Sequence, residues 1–144
     1  MSGTGNMEEG VVLLMDYIFD TSSFIAFFSN DKGAGKIAKL LDKVERGEVN
    51  GYVSPITLTE LYYLYARKDV SLANDRVEAI LFSKLKMVKI DAELTLKAEK
   101  YSNKDIPLAN ALIAAAAEKY GATVVAHCEG FEKIGIDLFD YEAE

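Results

Sequence analysis

The chain has 144 residues, a formal net charge of −7, a hydrophobic half and one cysteine. That length suits a single domain with its own core. The lone cysteine excludes an internal disulfide and points to a reducing, cytoplasmic setting. The acidic balance excludes a sequence-independent nucleic-acid coat, which needs basic residues to neutralise phosphate.

Residues 1–14 read as a flexible lead-in, with no basic stretch of the kind that opens a secretory signal. The apolar runs Val11–Met15 and Ala111–Ala117 are far below the roughly 20 residues that a membrane-spanning helix needs, so no membrane contact is expected. The domain proper is expected over residues 15–144.

Met15–Asp20 predicts a buried strand that ends on a carboxylate, and Thr21-Ser22-Ser23 suits the start of the helix that follows to Asn30. A turn over Asp31–Gly35 precedes an amphipathic helix carrying Ile37, Leu40, Leu41 and Val44 on one stripe. Gly51–Ser54 predicts a short strand. Leu58, Leu61, Tyr62 and Tyr65 mark the next helix, and Ala73, Val77, Ile80 and Leu81 another. Lys86–Ile90 alternates like a strand. Asp91 caps a helix with Leu94, Ala98 and Tyr101 on its apolar side, and Asp105 reads as the cap of a helix that has Pro107 in its first turn and stops at Gly121. Thr123–Cys128 predicts a buried strand, residues 129–135 a turn or short helix, and Asp137–Tyr141 an edge strand. Strands separated by helices imply a parallel sheet of four or five strands with helices on both faces, and Met15–Asp20 at its centre.

In such a sheet, ligands bind beyond the carboxyl ends of the strands. Asp20 and Cys128 stand at two such ends, and Glu60 and Asn110 near the starts of helices that follow loops. Each has a plainer reading. Asp20 can cap its helix, and Glu60 completes a Thr57-Leu58-Thr59-Glu60 capping box. Asn110 can be solvated, and Cys128 can be a small buried hydrophobe. His127 beside Cys128 is too little for a zinc site.

The four segments together resemble the motifs of the PIN domain family. Phe19-Asp20-Thr21-Ser22-Ser23-Phe24 is similar to the family's first motif, Ser54-Pro55-Ile56-Thr57-Leu58-Thr59-Glu60-Leu61 to its second, Ile106–Ala115 to its third and Gly121–Phe131 to its fourth. They come in the family's order and cover about residues 15–141. The resemblance implies a metal-dependent endoribonuclease like the VapC-type toxins of toxin–antitoxin pairs. It also implies Mg²⁺ or Mn²⁺ as cofactor, single-stranded RNA as substrate, an antitoxin-like protein partner and a homodimer.

It assigns Asp20, Glu60, Asn110 and Cys128 to the catalytic positions. Asp20 and Glu60 would be the metal ligands, with Asn110 and Glu129 as further candidates. Two of the family's usual acids are replaced, by Asn110 and Cys128. The charge facing a metal falls from about −4 to about −2, and thiol sulfur is a poor match for Mg²⁺. Weakened or lost cleavage is therefore expected. The alternative is a non-catalytic module that binds RNA or a protein.

Lys36, Lys39 and Lys43 line one side of their helix and read as a solvated face, able to guide an RNA backbone only if it rims the cleft. Phe24–Phe28 and Leu58–Tyr65 hold more aromatic surface than one small core is expected to hide, so they are the expected dimer surface.

Overall fold

The structure is a computed structural model that describes residues 14–144; the predicted lead-in therefore lies almost wholly outside the described residues. Five strands form one sheet: β1 (Asp16–Phe19), β2 (Asn50–Val53), β3 (Lys86–Met87), β4 (Thr123–Ala126) and β5 (Leu138–Asp140). Their order is β3-β2-β1-β4-β5, every pair is parallel, and β1 is central. Six α-helices flank the sheet: α1 (Thr21–Ser29), α2 (Ala34–Glu45), α3 (Pro55–Ala66), α4 (Val70–Leu81), α5 (Ala92–Ala98) and α6 (Leu108–Tyr120).

Alternation along β1 and β4 builds the layers. Ile18, Val124 and Ala126 point into a core shared with α5 and α6, whereas Phe19 and Val125 point into a core shared with α1, α2, α3 and α4. This is the period of two that a strand imposes on its side chains. On the α6 side, Ala111 to Ala117 are all buried. Four successive alanines, Ala114 to Ala117, offer only methyl groups, so the helix backbone lies close on its neighbours.

Chain direction opens the crevice. From β1 the chain steps outward through β2 and β3, then returns across the sheet to β4 on the other side of β1. The carboxyl ends of β1 and β4 therefore flank the switch point, where open parallel sheets bind ligands.

Several expectations need correction. Lys86–Ile90 pairs only over Lys86–Met87, with one more bond from the Val88 amide to Val53. Leu81 is 53% exposed and lies off the core stripe that Ala73 and Ile80 form. Asp105 does not cap α6. It has a left-handed backbone, φ 54°, and ends a 3-10 segment at Glu99–Lys104, while Pro107 takes the capping position with no side-chain bond. Tyr101 is buried as expected but belongs to that 3-10 segment rather than to α5. Ser54, not Thr57, caps α3 by accepting from the Ile56 amide, so Glu60 lies in the second turn and closes no capping box. The aromatic excess is partly absorbed: Phe24 and Tyr65 are buried, while Tyr63 is 67% exposed.

Candidate active site at the carboxyl end of the sheet

Asp20 follows the last residue of β1. Its amide donates to the Val125 carbonyl at 3.2 Å, which holds the turn against β4. Its carboxylate caps α1: the Ser23 amide donates to Oδ1 at 2.8 Å, while the Ser23 hydroxyl donates to the Asp20 carbonyl at 2.7 Å. The Ser22 hydroxyl lies 2.8 Å and 3.0 Å from the two carboxylate oxygens. In turn, the Tyr141 hydroxyl donates to the Ser22 oxygen at 3.0 Å. The capping reading of Asp20 therefore holds, and the same bonds fix the position of its carboxylate.

Only 7% of Asp20 is exposed. Burial pushes its pKa from an ordinary 3.8 to about 6, against the lowering effect of the Ser23 amide and the Ser22 and Ser23 hydroxyls; the charge of Glu60 adds a smaller rise. An acid in this state is ionised at neutral pH, but at a cost that a nearby cation would relieve.

Glu60 faces solvent from α3. The Thr21 hydroxyl donates to its Oε1, which ties it to the residue next to Asp20. Asp20 and Glu60 are thus brought together. Asn110 stands in the first turn of α6, and its side-chain amide donates to the Gly130 carbonyl at 2.8 Å. It lines a cavity of about 250 Å³ with Asp105, Glu129 and Glu132. The two acids nearest Asn110 and Cys128 in sequence, Asp105 and Glu129, therefore share Asn110's cavity. Cys128 opens the 3-10 turn Cys128–Gly130 just past β4; its side chain lies outside the described groups.

No hydrogen bond or ion pair among the described residues joins the Asp20–Glu60 pair to the Asn110–Glu129 cavity. Among those residues, no group of three or more His, Cys, Asp or Glu side chains is set to hold a metal. The pair by itself does fit a weakly held, mostly hydrated divalent ion. Among the described residues, Asp20 Oδ2 accepts only from Ser22 and Glu60 Oε2 has no hydrogen-bond partner, so each keeps a lone pair free. Magnesium is often bound by one or two carboxylates, with water and substrate phosphate completing its shell.

Beside the expected Asp20 and Glu60 lie two side chains that the motifs do not single out, Ser22 and Tyr141. In the sequence, Ser22 is only part of a helix-start run. Tyr141 gave no signal, since only the pairing of β5 with β4 brings it back to Asp20. At the same end, His127 lies 4.0 Å from Asp140 and 3.8 Å from Glu142.

A PIN domain family model matches residues 17–136, so the chain belongs to the PIN domain family. No curated protein matches it in sequence. Among solved structures it is similar to VapBC2 from Rickettsia felis bound to a DNA fragment from their promoter, with TM-score 0.72, 20% identity, and coverage of 88% of this chain and 98% of that one. It is similar to VapBC-1 from nontypeable Haemophilus influenzae, with TM-score 0.69, 20% identity, and 90% and 100% coverage. It also resembles Mycobacterium tuberculosis VapC20, a sarcin-ricin-loop-cleaving toxin, with TM-score 0.65, 19% identity, and 83% and 95% coverage. At these identities the likeness shows a shared fold.

Proposed function

We propose that this PIN-domain protein is a toxin-type endoribonuclease of the cytoplasm with weakened activity, which uses Mg²⁺ or Mn²⁺ on single-stranded RNA. The observation that carries the reading is the Asp20–Glu60 pair at the carboxyl end of β1: a buried carboxyl whose pKa is raised to about 6 near an exposed one, which accepts from Thr21, the residue next to Asp20. Asp20 and Glu60 would hold the ion, which would supply a bound water of lowered pKa and stabilise charge on the phosphate being cut. The Ser22 and Ser23 donors fix the Asp20 carboxylate, and Thr21 fixes Glu60. Asn110 and Cys128 occupy the other two catalytic positions without charge, with Glu129 as a candidate replacement ligand.

An antitoxin-like partner and a homodimer belong to the same reading. An apolar groove of about 350 Å³ between α1, α2 and α4 is lined by Phe27, Phe28, Leu41, Ile80 and Phe82, with Phe82 85% exposed. Large open apolar surface of this kind usually serves a protein partner.

A second reading, a non-catalytic module, draws on Asn110. Its amide is committed to Gly130, and an amide oxygen offers a cation no charge. One experiment separates the two. Asn110→Asp combined with Cys128→Asp is expected to tighten Mn²⁺ binding by calorimetry and to raise cleavage of single-stranded RNA; adding Asp20→Asn then abolishes cleavage. A restored protein that binds no metal and stays inert on a panel of RNAs overturns the nuclease reading.

A further inference from the structure

Helix α2 starts beside the site and runs away from it. At its head, Gly33 lies against Tyr141, which is bonded to Ser22, and Lys36 donates to the Ala143 carbonyl. From there Lys36, Lys39, Lys43 and Arg46 follow one another at intervals of three, four and three residues, which places them on one side of a helix. They line a groove of about 360 Å³ together with Phe139 of the edge strand β5.

The charge in this groove is one-sided. The one acid lining it among the described residues, Asp42, is 2.9 Å from Arg46, and Arg46 also meets Glu48 at 3.4 Å. Lys39 and Lys43 are exposed, and their ammonium groups have no ion-pair or hydrogen-bond partner among the described residues. In a chain of net charge −7, these two uncompensated lysines, one helical turn apart along one groove, make a positive charge that is local and directional. Lys36 and Lys43 are about 10 Å apart along the helix axis, room for successive phosphates of an extended strand. The Phe139 ring, half-buried edge-on against Tyr17, adds a flat apolar surface in the groove.

We propose that the groove between α2 and β5 binds the sugar–phosphate backbone of a single-stranded nucleic acid, as a track leading from the Asp20 site. Lys39 and Lys43 supply the phosphate contacts, with Lys36 at the rim next to the site. The inference rests on the RNA reading above for its ligand, but not on any cleavage.

The test is fluorescence anisotropy of a labelled 2′-O-methyl oligouridine 12-mer, which cannot be cut, in EDTA. With about three phosphate contacts, log K is expected to fall with log salt at a slope of about −2. Lys39→Gln with Lys43→Gln should weaken binding roughly tenfold or more at low salt and bring the slope to about −0.7. Lys68→Gln with Lys84→Gln makes the same change in net charge elsewhere and should leave the slope unaltered. Equal effects of the two double variants, or no effect of the first, would overturn the proposal. So would a wild-type protein that ignores the 12-mer but binds an octaglutamate peptide through Lys39 and Lys43, since the groove would then serve an acidic protein. Because no metal or cleavage enters the assay, a groove that binds in a protein inert on every RNA refutes the nuclease reading alone. A restored protein that cuts RNA while Lys39 and Lys43 prove indifferent refutes the groove alone.

Discussion

Replacing Asp20 by Asn should stabilise the protein at neutral pH. The folded pKa of Asp20, about 6, lies above its ordinary 3.8, so between those values the folded chain holds more proton than the unfolded one. Stability from this group is therefore complete below about pH 4, falls as pH rises through 6, and is lost above it. At about 1.4 kcal/mol per pKa unit, keeping the carboxylate ionised in the fold costs about 3 kcal/mol at pH 7.5. The amide of Asn has the same shape and no charge, and its oxygen can still accept from the Ser23 amide that caps α1. The variant should gain up to about 3 kcal/mol at pH 7.5, less whatever the charge added to the bonds from Ser22 and Ser23. Urea unfolding at several pH values, analysed by linear extrapolation, reads this directly. The gap between the two proteins should close as the pH approaches 4. A gap that stays constant from pH 4 to 8, or a less stable variant at pH 7.5, would refute the argument that burial dominates at Asp20.

Metal binding should carry the same signature. Since an ion on Asp20 competes with its proton, Mn²⁺ affinity by calorimetry should be about tenfold weaker at pH 5 than at pH 7.5 and level off above about pH 7; a flat profile would place the ion elsewhere. Gly33→Ala should destabilise by roughly 1–3 kcal/mol from left-handed strain alone. Gly33 has φ +87°, and a methyl there would stand 2.4 Å from the Tyr141 carbonyl oxygen and 2.6 Å from its ring. Gly35→Ala, where a methyl meets open space inside α2, should be neutral or stabilising by up to about 1 kcal/mol. Urea midpoints of the two variants make the comparison.

The sequence reveals those parts of the fold in which one local signal dominates. The central strand announces itself because its inner residues are apolar and its end is marked by Asp20; α6 does so through its alanine run and Gly121, which stops it in the left-handed conformation, φ 62°. Local signals misled where tertiary contacts decide. Leu81 matched a helical stripe, but that stripe runs out past Ile80, where α4 leaves the core. The Thr57–Glu60 box had the right spacing, yet Ser54 before Pro55 was the better cap, because proline at the first helical position needs no amide partner. The site divides in the same way. The places of Asp20 at the end of β1 and of Glu60 on α3 follow from their own segments of sequence. The placing of Glu129 and Asp105 around Asn110, and of Tyr141 on Ser22, comes from chain segments that meet only after the sheet is assembled.

The alanines of α6 have a consequence for the site at the head of that helix. Ala114 to Ala117 act as spacers: each is a methyl wide, and together they set how far the whole rod stands from its neighbours. Asn110 rides on the same rod one turn earlier and reaches Gly130 across 2.8 Å. An added methylene in a packed interior is met by shifts of backbone rather than by compression. A larger residue at Ala114 or Ala115 would therefore lever the helix outward and carry Asn110 with it. The aim of that side chain is thus calibrated several residues away, in a part of the helix closed off from solvent.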